Sequence, residues 1–85
     1  MKIWVLLVED ADGNDCYLYK TYEGALNCVM GDIEDRNHFD TDEPYITREE
    51  LAQKQQEARD EIEELGYWQD DDGTNYWIQE KELND

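Results

Sequence analysis

The dipeptide Asp-Gly occurs twice, at Asp12-Gly13 and at Asp72-Gly73, each time between runs of strand-forming residues. Asp and Gly both tolerate positive φ, so Asp-Gly in such a setting is among the strongest local signals for a hairpin turn. Ile3-Trp4-Val5-Leu6-Leu7-Val8 and Cys16-Tyr17-Leu18-Tyr19 flank the first turn. Tyr67-Trp68-Gln69 and Tyr76-Trp77-Ile78-Gln79 flank the second. With Asp12-Gly13 as a two-residue loop, Val8 pairs with Tyr17 and Leu6 with Tyr19. Trp4, Leu6, Val8, Tyr17 and Tyr19 then share one face, and Ile3, Val5, Leu7, Cys16 and Leu18 the other. Both faces are apolar, so the sheet is expected to be covered on part of both sides, or to bind through its aromatic face. In the second hairpin Trp68 is expected across from Trp77, forming one aromatic patch beside Asp70-Asp71-Asp72.

The segment between the hairpins has helical periodicity. Thr21 is a candidate N-cap, and Tyr22, Ala25, Leu26, Val29, Met30 and Ile33 form one stripe behind it. Gly24 and Gly31 weaken that helix, and the expectation is that they mark close packing against the sheet. A polar loop follows, from Asp35 to Pro44. Thr47-Arg48-Glu49-Glu50 is a capping box, in which the Thr hydroxyl and the Glu carboxylate each accept the other residue's orphan backbone N–H. Leu51, Gln55, Ala58, Ile62 and Leu65 then make a narrow stripe, which Gly66 closes. Residues 1–85 thus read as a single small α+β domain. Its order is strand-strand-helix-helix-strand-strand, an antiparallel sheet with the helices packed on a face.

Charge narrows the function. The chain carries 24 Asp and Glu against 7 Lys and Arg, a net charge of −17. Such a surface has the wrong sign for gripping nucleic acid phosphates or an anionic membrane. Nineteen of the acids lie in residues 32–85. One cluster surrounds the inter-helix loop and includes Asp35, Asp40 and Asp42. The other comprises Glu57, Asp60, Glu61, Glu63 and Glu64 on the end of the second helix, continued by Asp70, Asp71 and Asp72, and four of these, Glu57, Asp60, Glu61 and Glu64, share one helix face. Like charges at helical i,i+3 and i,i+4 spacing destabilise by a few tenths of a kcal/mol per pair, and anions near a helix C-terminus oppose the macrodipole. Solubility alone would be served as well by Lys, so this local cost points to function. Solubility or salt adaptation, and a protein-adaptor role, are the alternatives.

Enzymatic signatures are sparse. The chain has no Ser and one His, and it lacks a Gly-rich phosphate loop. Cys28 and His38 could pair as nucleophile and base, but Cys28 sits beside the apolar stripe, as a structural thiol does. Asp10, Asp12 and Asn14 match only the start of a calcium loop, and Cys16, Cys28 and His38 lack zinc spacing. No enzyme activity, metal or cofactor is expected. Trp68 and Trp77 lack a basic groove for stacking bases, which leaves core packing or a protein-binding hot spot. The longest apolar run, Ile3 to Val8, is too short to span a bilayer, and no secretory leader is evident. The two cysteines are expected to be reduced thiols of a cytoplasmic protein.

In size, charge, single-domain α+β character and the helix-borne carboxylates Glu57, Asp60, Glu61 and Glu64, the chain resembles the small acidic phage-encoded anti-defence proteins, the anti-CRISPR and DNA-mimic inhibitors. The resemblance implies an inhibitor that imitates nucleic-acid charge inside the cytoplasm of an infected bacterium. Its partner would be a CRISPR effector or other defence nuclease with a basic groove, bound through Glu57, Asp60, Glu61, Glu64, Asp70, Asp71, Asp72, Asp35, Asp40, Asp42, Trp68 and Trp77. A direct nucleic-acid or membrane ligand is not implied. The adaptor alternative would bind through the Trp4, Leu6, Val8, Tyr17, Tyr19 face or the second hairpin.

Overall fold

A computed structural model describes residues 1–37 and 43–83. Bulky and β-branched residues form β1 (Lys2–Asp10), and the chain turns directly into β2 (Gly13–Tyr19). Thr21 caps α1 (Tyr22–Arg36), its hydroxyl accepting the Gly24 N–H at 3.0 Å. The capping box starts α2 (Arg48–Leu65), with both reciprocal hydrogen bonds formed at 3.1 Å. Short β3 (Tyr67–Gln69) and longer β4 (Asn75–Glu82) complete the chain. The strands form one antiparallel sheet in the order β2-β1-β4-β3. The expected α+β class and element order are therefore observed.

The helices share one face of the sheet. Leu6, Val8, Tyr76, Ile78 and Trp68 point from the strands into a core completed by Ala25, Val29 and Ile33 of α1 and Leu51, Ala58 and Ile62 of α2. The Trp4, Leu6, Val8 face is thus the core side: Leu6 and Val8 are buried, Trp4 and Tyr19 partly so. The helices close it except at the β2 edge, where Tyr17 stays 43% exposed. The opposite face carries Ile3, Val5, Leu7, Cys16 and Leu18, and no residue on it is buried among the described residues.

The first hairpin differs from expectation by two residues in register. Asp10 pairs with Gly13, so Ala11-Asp12 is the loop and Leu6 lies opposite Tyr17. Asp10 fixes this turn: its carboxylate accepts the Asp12 N–H at 2.8 Å and binds Arg36 Nη2 at 2.7 Å. A two-residue shift preserves the alternation, so the expected division into faces survives it. In the second hairpin Trp68 pairs with Tyr76, and Tyr67 with Trp77. Neighbouring residues on a strand point to opposite faces, so the expected Trp68–Trp77 patch does not form.

Packing also separates the two α1 glycines. A Cβ on Gly24 would meet Thr21 Oγ1 at 3.1 Å and the Tyr19 ring at 3.3 Å, whereas Gly31 faces open space. Only the first marks close contact with the sheet. Cys16 is exposed and Cys28 half-buried, both as free thiols. No helix among the described residues is long and apolar enough to cross a membrane.

Candidate functional site

The apolar stripe of α2 decides which residues it shows to solvent. With Leu51, Ala58 and Ile62 turned to the core, the flank nearer β3 carries Glu50, Lys54, Glu57, Glu61 and Glu64 at alternating steps of four and three residues, with Lys54 drawn to Asp70 of the β3–β4 turn. Asp60 lies on the same flank. Glu57, Asp60 and Glu64 are exposed and Glu61 is half-buried. Among the described residues none of the four forms an ion pair shorter than 4.0 Å. Asp60 accepts a hydrogen bond from Gln56 Nε2 at 2.9 Å, and Glu57 accepts one from Trp68 Nε1 at 3.4 Å. Arg59 falls on the other side of the helix, where it and Glu63 both act on the Tyr22 phenol of α1.

Between α2 and the β3–β4 turn runs a groove of about 230 Å³, lined by Glu50, Lys54, Glu57, Trp68 and Asp71 among others. Asp71 stands on the turn, opposite the Glu50–Glu57 side. Three carboxylates thus line one groove with an indole edge in its wall, and the resident Lys54 ammonium is turned to Asp70 at 2.7 Å. An Arg or Lys side chain entering here would meet acceptors on both sides.

No protein-family model, curated protein or solved structure matches the chain. Function must therefore be argued from the chemistry of the site.

The structure sorts the expected site residues into different roles. Asp70 is not part of the presented charge: its side chain is 1% exposed and its Oδ1 lies 2.7 Å from Lys54 Nζ. The same oxygen accepts the Asp71 N–H, and the Asp70 backbone closes the turn to Gly73 and Thr74. Asp72 is exposed but also accepts the Thr74 N–H at 2.8 Å. Trp68, 2% exposed, stacks on Tyr76 in the core rather than serving as an outer anchor. Trp77 lies on the face away from the helices, 5.1 Å from the Tyr67 ring. Asp35 is exposed at the end of α1, where Asn37 O accepts the Tyr45 N–H just before α2 begins. Asp35 therefore belongs to the N-terminal end of α2, while Glu61 and Glu64 lie at its far end. Asp40, Asp42 and His38 fall outside the described residues.

A second acid-rich arrangement was not expected. Arg36 bridges Asp32 and Asp10 at 2.7 Å each, and Tyr76 Oη donates to the same Asp32 oxygen at 2.6 Å. The Arg36 hydrogen bond holds the Asp10 carboxyl below its ordinary range, and burial followed by the Asp32 contact pushes the Tyr76 phenol up. This cluster pins α1 to β1 and β4, so these acids are structural. Glu50, whose capping role accounts for it in the sequence, also lines the groove. The spacing from Glu50 through Glu57 to Glu61 and Glu64 carried the signal.

Proposed function

We propose that this protein is a charge-mimic inhibitor that fills the basic nucleic-acid groove of a bacterial defence protein, a CRISPR effector or nuclease. The supporting observation is the α2 stripe, which sets Glu50, Glu57, Asp60, Glu61 and Glu64 along one flank with Asp71 across the groove. At about 1.5 Å rise per residue, these five helix carboxylates occupy roughly 21 Å of axis. One strand of B-DNA presents about six phosphates over that length. The stripe therefore imitates one strand's track rather than a whole duplex. Its target would be a groove whose Arg and Lys residues follow a single backbone.

In this reading the partner's cations exchange phosphate for carboxylate, and inhibition is competitive with nucleic acid. Affinity should fall at least tenfold between about 50 mM and 200 mM salt, as for other contacts dominated by screened charge. The test begins with a bacterial lysate pull-down eluted by a salt step. Competition between the captured protein's nucleic acid and the inhibitor follows. Glu57→Lys, Glu61→Lys and Glu64→Lys together should abolish competition while circular dichroism and thermal stability remain near wild type. A captured protein that holds DNA and this chain together, with unchanged DNA affinity, would refute mimicry in favour of an adaptor.

A further inference from the structure

The sheet face away from the helices has a composition unlike the rest of the molecule. Ile3, Val5 and Leu7 of β1, Leu18 of β2, Tyr67 of β3 and Trp77 of β4 lie on it together. Leu18 is 66% exposed and Leu7 37%. Leu7, Trp77 and Gln79 border a shallow depression of about 290 Å³. Of the 24 acids in the chain, the strands place only Glu9 on this face, with Lys81 as the one cation. The register puts Glu9 opposite Asn75 at one end of the β1–β4 pair and Lys81 opposite Ile3 at the other.

We infer that this face is a homodimer interface, in which two copies pack sheet on sheet about a two-fold axis running across the strands. That rotation sets the Glu9 end of one copy over the Lys81 end of the other, so the face is complementary to itself in charge as well as apolar. A two-fold axis along the strands would leave both charges without a partner. A basic partner, of the kind proposed for α2, would find one acid here and one cation.

The acidic stripe of α2 does not oppose this pairing. Sheets pack about 10 Å apart, and each copy adds a helix layer of about 10 Å on its outer side. The two α2 stripes are then some 30 Å apart, more than three Debye lengths at physiological salt. The strands cover about 430 Å² per copy at about 3.3 Å per residue and 4.8 Å per strand. Two such faces bury on the order of 1,000 Å² once side-chain relief is counted, the lower end for specific association. The dimer should therefore dissociate on dilution, and it would display two acidic stripes on opposite outer surfaces.

Sedimentation equilibrium of the purified chain tests this over a concentration range of about a hundredfold. The expected result is a monomer–dimer equilibrium. Leu7→Lys should be monomeric throughout, Lys81→Glu should weaken the dimer about tenfold, and the swap Glu9→Lys with Lys81→Glu should restore it. The wild-type mass and the exposed Lys81 variant decide the matter even if Leu7→Lys unfolds. A wild-type chain that stays monomeric overturns the inference. So does a dimer indifferent to Leu7→Lys, which would implicate the β2 edge, or a swap that fails to recover association. None of these readouts depends on the proposed inhibitor activity.

Discussion

Replacing Lys54 by Met should reveal how Asp70 is held. Lys54 Nζ lies 2.7 Å from Asp70 Oδ1, with the two side chains 17% and 1% exposed. Met keeps the length of the stem and removes the charge, leaving a carboxylate almost wholly out of water. Removing one partner of a buried pair costs about 3–5 kcal/mol. Two features place this site at the lower limit. The Asp71 N–H still donates to the carboxylate at 2.6 Å, and the Lys54 end is open enough for water to enter. A loss of about 3 kcal/mol is expected, a large share of the roughly 4–13 kcal/mol typical for a chain of this size. At about 4–8 °C per kcal/mol, the melting temperature should fall by about 12–24 °C. The double variant Lys54→Met with Asp70→Asn removes the stranded charge and should recover about 2 kcal/mol of the loss. Urea unfolding followed by circular dichroism measures both. A loss below about 1 kcal/mol in Lys54→Met would mean a solvated pair, returning Asp70 to the exposed acidic cluster.

Ile62→Ala should cost about 2–5 kcal/mol, because Ile62 is a core residue of α2, and Thr47→Ala about 1 kcal/mol through loss of the capping box; wild-type urea midpoints would contradict both. Gly31→Ala should stabilise by about 0.4–1 kcal/mol, since a Cβ there meets open space, while Gly24→Ala should destabilise against Thr21 and Tyr19. Hydrogen bonding with Cys28, then burial, pushes the Tyr19 phenol up to about 12, and burial first raises those of Tyr22 and Tyr76. The unfolded chain therefore ionises first, so this stabilisation is complete below pH 10 and is lost as pH rises toward the folded values. Melting temperature should fall over that window alongside phenolate absorbance, and a flat profile would contradict the assignment. Melting temperature should also be higher in about 0.5 M than in about 20 mM NaCl, as screening relieves self-repulsion; a flat or falling trend would show that the charges are not mutually strained.

Features written within a few neighbouring residues could be read directly. The boundaries of α2 followed from Thr47, Glu50 and Gly66, whose capping hydrogen bonds all span four residues or fewer. The division of β1 and β2 into faces was legible too, because alternation is a local property. The first hairpin's register was not, because Asp10 is held by Arg36, 26 positions away. The same limit applied to the acidic cluster. In sequence Asp70, Asp71 and Asp72 are equivalent, and only Lys54, reaching across from α2, withdraws the first of them from solvent. Trp68 and Trp77 could be matched to a hairpin but not to a register, and a difference of one residue sends an indole to the opposite side of the sheet.

Gly66 ends α2 with φ +73°, its N–H donating to Ile62 O at 2.8 Å, while its own carbonyl accepts the Ile78 N–H at 3.0 Å. One residue is therefore both the last of a helix cap and the first rung of a strand ladder. No slack chain separates the two, so α2 cannot pivot on the sheet without breaking hydrogen bonds at its own terminus. In the proposed complex, carboxylates on such a shaft would reach the encounter already aligned, with little backbone freedom left to lose. Lengthening that junction by a single residue would leave every charge in place yet let the shaft swing. The complex would then form at a similar rate and fall apart faster.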